Sequence, residues 1–549
     1  MSRVTLLAIN SKYVHSSLAI WFLAGGISQY ACLRHDVEII ETTIHQHEDI
    51  IIEKIVANLP EVIGISTYIW NSGKLLPLID KLRERLPNAI VIMGGPEASH
   101  NAEHWTENGA DYVLQGEGER SLPVLLDSLE NKDMVALESI SGLCWNKSGE
   151  FVCNPVEGLE DGVVDPYSKD YFKTLDGRIA YIETSRGCPF RCSFCLSGKS
   201  NLRFFPLDAA KRQLLELSQS GAKTVKLVDR TFNCNKSRAY ELFEYVIGLN
   251  TACHFHFEVA ADLFDKKTLA LLNTAPPGRI QLEAGVQSFY EPTLEAVSRK
   301  TDVKKIEENI KALLAGENIH IHIDLIAGLP LETLQSFIKS FNRAYALGAH
   351  TLQLGFLKLL PGSVMREQAE QLGIIYNEKP PYEIISSPWI GKDDLGVLKQ
   401  AENALQHTYN KGRFLQTLQY VLFATGVNPF EMYRDIGRAV PNHGEYLNIY
   451  ADKIYNYCVS LTGVEEDKLH DFMTCDWLST VKGKNLPHFL RETSGRRKDI
   501  AAMAENLLGR KIERGEAAAL LSGEQGGVFV DSREIDIVTG LYKLYYIDR

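Results

Sequence analysis

The sequence lacks any apolar run long enough to cross a bilayer. No window approaches about 18 apolar residues, and the N-terminal stretch turns polar within a few residues, unlike a signal peptide. An excess of positive charge is also missing, because the formal net charge of the 549 residues is −12. This balance disfavours nucleic acid as a partner. We therefore expect a cytoplasmic globular protein with no membrane segment.

Cysteine is sparse outside one short segment. Ten cysteines in 549 residues are too few for a disulfide scaffold. Three of them, Cys188, Cys192 and Cys195, fall in the stretch RGCPFRCSFCLSG, and the others show no close ligand spacing. We interpret Cys234, the next cysteine after the triplet, as a small buried apolar residue. In a reducing compartment a tight cysteine cluster favours metal or redox chemistry.

Apolar runs of strand length alternate with helical periodicity from residue 3 to about residue 130. This alternation predicts an α/β domain with a doubly wound (flavodoxin-like) parallel sheet and helices on both faces. An open sheet of this kind binds ligands at the carboxyl ends of its strands. The residues at those ends include Asn10, Ser66, the pair Gly94-Gly95 and the pair Gly116-Glu117.

Three further regions follow along the chain. Residues 138–178 break the alternation, with a hairpin that turns at 146–149 and then an acidic linker. A second series of six βα units over 179–375 predicts a partial (β/α)6 barrel. Residues 376–549 are mainly helical and close with a hairpin. The predicted domains are thus 1–137, 179–375 and 376–549, with 138–178 as hairpin and linker.

The cysteine triplet comes directly after the first strand of the second series, at the edge where active sites of βα barrels lie. Cysteine thiolates hold iron–sulfur clusters, and a [4Fe–4S] cluster with three protein ligands keeps one iron open to chelate a substrate. Two alternatives remain. One is a tetrahedral zinc site completed by a distant cysteine or histidine, and the other is a purely structural cluster.

The pattern C-x-x-x-C-x-aromatic-C in this setting resembles the radical S-adenosylmethionine superfamily. The resemblance implies a [4Fe–4S] cluster on Cys188, Cys192 and Cys195. It further implies that the open iron binds the amino and carboxylate groups of S-adenosylmethionine, whose cleavage releases a 5′-deoxyadenosyl radical.

Later strands resemble the coproporphyrinogen-dehydrogenase branch of the superfamily. The segments FHFEVAAD, EAGVQSF, AVSRKT and DLIAGLPLET match its strands in order, whereas LVDRTFN replaces the usual glycine-glycine-glutamate for the methionine amine. Taken singly, each matched residue has a surface or capping role as its alternative. The residues implied in binding S-adenosylmethionine are Phe194, Asp229, Arg230, Thr231, Glu258, Gln287, Arg299, Asp324, Ile326 and Gly328.

The N-terminal domain resembles the cobalamin-binding domain of corrin-dependent radical enzymes. In its motif D-x-H-x-x-G, His15 matches, but Tyr13 and Leu18 replace the acid and the glycine. His15 is therefore either a cobalt ligand or a hydrogen-bonding residue of the same loop. A flavodoxin-like module for another nucleotide, or for none, is the alternative. The residues implied in binding cobalamin are Asn10, His15, Ser66, Gly94, Gly95, Ser99, Gly116 and Glu117.

One related class is excluded by cysteine count. Methylthiotransferases carry three further cysteines in their N-terminal domain, whereas residues 1–140 contain only Cys32. The C-terminal region resembles an uncharacterised extension of some corrin-type radical enzymes, and some of its many tyrosines are expected to line a pocket at the barrel mouth.

The resemblance implies a cobalamin-dependent radical S-adenosylmethionine methyltransferase acting on an unactivated carbon. The substrate expected is a small, natural-product-like molecule, and an external electron donor is implied. The alternatives are a corrin-assisted cyclisation or rearrangement without methyl transfer, and an iron–sulfur redox or sensor module.

Overall fold

The computed structural model describes residues 2–133, 135–157, 164–199, 201–482, 486–491, 502, 505–506, 510–511, 516–521 and 526–547. No helix within these ranges combines the length and the apolar character needed to cross a bilayer. Residues 158–163 of the predicted acidic linker and the last residue of the predicted C-terminal hairpin, Asp548, lie outside the described residues.

The N-terminal sheet has the strand order β2-β1-β3-β4-β5-β6-β7, and its first five strands run parallel. Its strands are β1 (Arg3–Asn10), β2 (Asp36–Thr43), β3 (Val62–Ser66), β4 (Ile90–Gly94), β5 (Tyr112–Leu114), β6 (Leu143–Lys147) and β7 (Glu150–Cys153). Its helices are α1 (Leu18–Tyr30), α2 (Glu48–Val56), α3 (Ser72–Arg85), α4 (Pro96–His100), α5 (Ala102–Glu107) and α6 (Gly118–Asn131).

Helices cover both faces of this sheet, as predicted. Along β1, Leu6 packs in one core with α1 and α6, whereas Leu7 packs in a second core with α2 and α3. Because successive side chains of a strand point to opposite faces, the near-continuous apolar runs of β1 and β3 bury both faces.

The predicted hairpin is present, and Gly149 N donates to Asn146 Oδ1 at 2.7 Å in its turn. It is not separate from the N-terminal domain, however, because β6 pairs antiparallel with β5 and extends the sheet. Cys144 and Cys153 face each other across the hairpin and form a disulfide. Nine residues apart, they show no ligand spacing in the sequence, but hairpin pairing makes them neighbours.

The central domain is an open parallel sheet of six strands in the order β15-β14-β13-β12-β11-β8, which confirms the partial barrel. Its strands, with the two short strands β9 and β10 that form a separate ribbon, are β8 (Ala180–Ile182), β9 (Ser185–Arg186), β10 (Arg203–Phe204), β11 (Thr224–Leu227), β12 (His254–Val259), β13 (Ile280–Gln287), β14 (His320–Ala327) and β15 (Thr351–Phe356). The helices of this region are α7 (Lys169–Lys173), α8 (Leu207–Ser218), α9 (Lys236–Gly248), α10 (Lys266–Leu272), α11 (Glu291–Ala296), α12 (Val303–Leu314) and α13 (Leu334–Tyr345).

The barrel strands alternate strictly between apolar and polar residues. Along β12, Phe255 and Phe257 are fully buried, and Phe257 packs against Phe243 of α9. His256 and Glu258 occupy the intervening positions and therefore face the lumen. The lumen is thus polar, unlike the branched apolar filling of a closed barrel.

The C-terminal region is mainly helical, as predicted, and ends in a three-stranded antiparallel sheet. Its elements are α14 (Val364–Glu367), β16 (Ile375–Tyr376), β17 (Ile384–Ser386), α15 (Lys392–His407), α16 (Leu415–Thr425), α17 (Pro429–Ala439), α18 (Leu447–Val459), α19 (Glu466–Thr480), β18 (Glu516–Leu520), β19 (Gly527–Ile535) and β20 (Tyr542–Ile547).

The helices of this region contact the barrel at the amino ends of its strands. Tyr409 Oη donates to Ala349 O, directly before β15. Asn410 bonds the backbone N and O of Leu352, each at 2.9 Å. Of the other tyrosines, Tyr433, Tyr450 and Tyr455 are buried in the core, and Tyr446 is 81% exposed. The contacts of Tyr409 and Asn410 with the barrel therefore lie at the end opposite to the cysteine triplet.

A buried ion pair joins the N-terminal sheet to the segment before β8. Arg178 and Glu41 pair with side chains only 7% and 9% exposed. Glu41 also accepts hydrogen bonds from Asn10 Nδ2, Ser17 N and Trp21 Nε1 at 2.9–3.0 Å. The side-chain amide of Asn10, a residue implied in cobalamin binding, is therefore hydrogen-bonded within this network.

We expect Glu41→Ala to destabilise the protein by about 3–5 kcal/mol, because it leaves the guanidinium of Arg178 buried without a counter-charge. The measurement is the midpoint of chemical unfolding. Glu53→Ala is the control, since Glu53 pairs with Arg85 at the surface with 64% of its side chain exposed, and it should cost at most about 1 kcal/mol. Equal losses in the two variants would contradict the assignment.

Glu332 lies fully buried behind the loop that follows β13. One carboxylate oxygen accepts from Ser288 Oγ at 2.6 Å and Ser340 Oγ at 3.1 Å. Its other oxygen has no hydrogen-bond partner among the described residues. Burial therefore raises the pKa of Glu332 from 4.5 to about 7.

The raised pKa of Glu332 makes stability depend on pH. The protonated form is favoured in the folded state, so this contribution is fully present below about pH 4.5 and is lost as the pH rises through about 7. We expect a loss on the order of 3 kcal/mol by pH 8, measured as the unfolding midpoint against pH. Glu332→Gln should flatten the profile, whereas Glu370→Gln at the surface should not. A profile unchanged by Glu332→Gln would contradict this.

Candidate active site at the mouth of the barrel

The three clustered cysteines form one wall between two cavities. Cys188, Cys192 and Cys195 line a cavity of about 400 Å³ on one side and one of about 250 Å³ on the other. Among the described residues, no other cysteine and no histidine lines either cavity. Cys234 is half-buried and lies outside both. The triplet therefore offers three thiol ligands and no fourth from the same walls.

The loop that carries the triplet is closed by the β9–β10 ribbon. Gly187 is held at a φ of +88°, and a Cβ there would lie 2.3 Å from the carbonyl oxygen of Asn201. Ser193 is fixed on both sides, since its N donates to Val297 O at 3.0 Å and its O accepts from Met365 N at 2.8 Å. Glycine at 187 is thus required by both the conformation and the packing.

The surroundings of the thiols favour metal binding. Burial raises the pKa of Cys192, and the guanidinium of Arg299, with Nη1 3.6 Å from Sγ, opposes that rise. Iron binds thiolates, so a cation beside a buried sulfur supports the ligand form. Three thiols on one wall, with no fourth cysteine or histidine among the described lining residues, fit a [4Fe–4S] cluster with one open iron better than a zinc site closed by a fourth cysteine or histidine.

The 250 Å³ cavity brings together most of the residues implied in binding S-adenosylmethionine. They are Phe194, Arg230, Thr231, Glu258, Gln287, Arg299 and Asp324. Buried atoms without hydrogen-bond partners among the described residues include Gln287 Oε1 and Arg299 Nε, whereas Asp324 Oδ1 lies 3.0 Å from His322 Nε2. Unpaired buried polar atoms are costly, so their convergence in one cavity fits a polar ligand.

Backbone geometry at the end of β13 makes room for these side chains. Gln287 adopts a left-handed conformation with a φ of +72°. A Cβ on Gly285 would lie 2.4 Å from Gln287 Nε2, and Arg299 donates to the Gly285 carbonyl. Glycine at 285 therefore lets both side chains approach the cavity.

Asp229, Ile326 and Gly328, also implied in binding S-adenosylmethionine, do not line this cavity. Asp229 is 1% exposed and accepts from Thr184 N, Thr184 Oγ1 and Ser185 Oγ at 2.5–3.0 Å. The carboxylate of Asp229 therefore stabilises the turn between β8 and β9 from outside the cavity. Gly328 has a φ of +92° and packs against Ile384, and Ile326 belongs to β14.

The barrel lumen next to this cavity contains a network of charged side chains that was not predicted from the sequence. Lys226 Nζ lies 3.4 Å from Glu258 and 3.1 Å from Glu283, and His256 Nε2 lies 2.8 Å from Glu283. Burial alone would raise the pKa of Glu283, but His256 and Lys226 lower it to about 2. The alternating histidines of β12 and β14 were the available sequence signal. This network orients the carboxylate of Glu258 toward the cavity.

The carboxyl edge of the N-terminal sheet collects the residues implied in cobalamin binding. Gly95, with a φ of +102°, needs to be glycine because a Cβ there would lie 2.6 Å from Thr67 O. Gly116 has a φ of +75°, and Ser99 O accepts from Gln115 Nε2 at 2.8 Å. Ser66 is buried and bonds Leu7 O at 3.3 Å, and Gly94 ends β4. Local packing thus explains part of this glycine pattern.

His15 reaches across from this edge to the barrel. Its Nδ1 lies 2.6 Å from the hydroxyl of Tyr181 on β8. Burial and nearby cations lower the pKa of His15, so the ring is neutral at neutral pH. The hydrogen bond at Nδ1 is compatible with both roles expected for His15, because a cobalt ligand would use Nε2.

Exposed aromatic rings at the same edge fit a large planar ligand. Tyr13 and Trp70 are 70% and 44% exposed. Tyr68 stacks on Trp70 with ring centroids 4.3 Å apart, and Trp70 Nε1 donates to Ile9 O at 3.1 Å. Glu117, in contrast, is occupied by ion pairs to Arg186 and Arg203 at 2.6 and 2.8 Å, which leaves it poorly placed as a direct cobalamin contact.

Three family models match successive parts of the chain. A B12 binding domain matches residues 4–126, the Radical SAM superfamily matches residues 182–344, and a protein of unknown function (DUF4080) matches residues 370–516. The first two ranges contain the sheet edge and the cysteine triplet described above.

Curated relatives share the first two domains. The chain is 26% identical over 351 residues to the cobalamin-dependent radical SAM methyltransferase TokK of Streptomyces tokunonensis, covering 58% of this chain and 51% of the relative. It is 25% identical over 302 residues to the anaerobic magnesium-protoporphyrin IX monomethyl ester cyclase of a Synechocystis strain, covering 51% of this chain and 58% of the relative. The chain thus spans about half the length of these curated relatives.

Solved structures share the fold. The cobalamin-dependent S-adenosylmethionine radical enzyme OxsB, with aqua-cobalamin bound, aligns with a TM-score of 0.59 at 15% identity, over 87% of this chain and 79% of that one. The radical S-adenosylmethionine methyltransferase TsrM from Kitasatospora setae, with cobalamin and [4Fe–4S] cluster bound, aligns with a TM-score of 0.58 at 19% identity, over 69% and 78%.

The order of the three matched regions, together with the cysteine triplet at the barrel mouth, agrees with the fold and the sequence patterns. The chain thus carries, in order, a B12 binding domain, a radical SAM domain and a domain of unknown function.

Proposed function

We propose that this protein is a cobalamin-dependent radical SAM methyltransferase that modifies an unactivated carbon of a small, natural-product-like molecule. The observation that carries the proposal is a wall of three cysteines, without a fourth cysteine or histidine among the described lining residues, beside a cavity with unpaired buried polar atoms. The matches to the B12 binding domain and to methyltransferase relatives support the second cofactor.

The proposal assigns three cofactors: a [4Fe–4S] cluster, S-adenosylmethionine and cobalamin. When bound, the first two supply a radical that removes hydrogen from the substrate, and cobalamin supplies the methyl group. Cys188, Cys192 and Cys195 would hold the cluster, and Arg299, whose Nη1 lies 3.6 Å from Cys192 Sγ, would balance its negative charge. Glu258, Gln287 and the aromatic ring of Phe194 line the nucleotide cavity.

Residues of the N-terminal sheet edge would hold cobalamin on the side that faces the barrel. His15 and Tyr181 join this edge to the barrel by a hydrogen bond of 2.6 Å. Contact between the domains would help to exclude water, which reactive intermediates require. A cytoplasmic location, an external electron donor and the absence of a nucleic-acid partner belong to the same proposal.

A second candidate is a radical cyclisation or rearrangement that uses cobalamin without methyl transfer. It is favoured by the similarity to magnesium-protoporphyrin IX monomethyl ester cyclases. A third candidate is a redox or sensor module without turnover. The experiment that follows separates the three candidates.

The test is to incubate anaerobically reconstituted protein with S-adenosylmethionine and a low-potential reductant. Formation of 5′-deoxyadenosine is expected, and S-adenosylhomocysteine beside it supports methyl transfer over rearrangement. Protein that holds an iron–sulfur cluster but forms no 5′-deoxyadenosine would contradict the proposal and favour the sensor.

We expect the triple variant Cys188→Ala, Cys192→Ala, Cys195→Ala to lose its iron, because no other thiol lines either cavity among the described residues. The measurement is iron and sulfide per chain after anaerobic reconstitution. Cys234→Ala is the matched control and should retain iron at the wild-type level. Loss of iron in the control would show a fourth cysteine ligand, and zinc in place of iron would restore the tetrahedral alternative.

A further inference from the structure

Two arginines stand opposite each other at the base of the loop that carries the cysteine triplet. Arg186 of β9 and Arg203 of β10 form a directly facing pair in the antiparallel ribbon. Like charges directly opposite in a ribbon repel and destabilise it. The ribbon has only two residues in each strand, so backbone pairing alone holds it weakly.

A carboxylate from the other domain lies between the two arginines. The same oxygen of Glu117 is 2.6 Å from Arg186 Nη1 and 2.8 Å from Arg203 Nη2. Glu117 is the residue directly before α6, at the cobalamin-binding edge of the N-terminal sheet. One residue of the B12 binding domain therefore bridges both arginines at the base of the cysteine loop.

Further contacts hold Arg186 in this place. Glu119, in the first turn of α6, lies 2.8 Å from Arg186 Nη2, and Glu183 lies 2.6 Å from the same nitrogen. Phe22 of α1 and Phe205 contact the guanidinium, with centroids 5.4 and 5.7 Å away. The side chain of Arg186 is only 23% exposed, so water cannot fully replace these partners.

We propose that Glu117 is a positioning residue that sets the cysteine loop against the B12 binding domain. Through Arg186 and Arg203 it fixes the ribbon, and through α6 it fixes the ribbon relative to the cobalamin-binding edge. In this role Glu117 acts on the placement of one cofactor relative to the other rather than by contact with cobalamin. The inference rests on the proposed function only for its consequence in turnover.

The test is thermolysin digestion of the full-length protein without added cofactors. Thermolysin cleaves at large apolar residues, several of which lie between the two arginines, so the charge substitutions leave its sites intact. In Glu117→Gln we expect cleavage between residues 187 and 202 to be about tenfold faster than in the wild type, because the loop opens more often. Glu307→Gln, which removes a surface pair with Arg343, is the control and should behave as wild type.

The double variant Glu117→Gln, Arg203→Gln makes the test specific for repulsion. Without the charge of Arg203, the facing pair no longer repels, so protection should return toward the wild-type rate. Equal cleavage of Glu117→Gln and wild type would overturn the inference, and so would a double variant no better protected than the single one. If Glu117→Gln does not fold, the double variant is expected to fold, and its failure would overturn the inference as well.

Iron per chain after reconstitution gives a second readout, with lower retention expected in Glu117→Gln than in the double variant. Neither readout depends on turnover. A wild-type protein without 5′-deoxyadenosine formation would therefore refute the proposed function while leaving the role of Glu117 to be decided by the digestion.

Discussion

Two parallel sheets can serve one reaction only if their carboxyl ends face each other. In such sheets ligands bind outside those ends, so the relative placement of the two domains decides whether two cofactors meet. Polar contacts cross between them near these ends, among them Glu41 with Arg178, His15 with Tyr181, and Glu117 with Arg186 and Arg203. Each of these joins a residue of the N-terminal domain to the chain immediately around β8 or the cysteine loop.

Buried charged and polar groups, rather than apolar surfaces, make these contacts between the domains, and this has a physical consequence. Apolar surfaces would pack in many orientations, whereas an ion pair with hydrogen-bonded neighbours is satisfied in one geometry and is costly when broken. Glu41, which accepts from three further donors, illustrates this. The arrangement therefore favours a single orientation of the domains more than it favours a large gain in stability.

Much of the fold follows from patterns that the sequence displays directly. Alternating βα periodicity predicts both sheets, and the spacing of Cys188, Cys192 and Cys195 predicts their shared wall. What the sequence does not display is pairing between distant segments. The attachment of the 143–153 hairpin to β5, and the use of Glu117 by two arginines, depend on tertiary neighbours that no local spacing reports.

This dependence on distant segments of the chain also explains why only some of the predicted binding residues line the cavity. Strand-end side chains such as Glu258 and Gln287 point where period-two alternation directs them. Asp229 also follows a strand, but two hydroxyls and an amide of the neighbouring turn capture its carboxylate. Which acceptor a buried carboxylate serves is decided by donors elsewhere in the chain.

An open barrel has a further requirement, because its two outer strands present unpaired backbone groups. At β15 the side chain of Asn410 pairs with the backbone of Leu352 as a strand would, and Lys358 bridges to Glu383. At the other side, the segment before β8 bridges at Ile179 to His15. The domain of unknown function thus covers one edge and the B12 binding domain borders the other, and this explains how a sheet of six strands remains open without exposed edges at these positions.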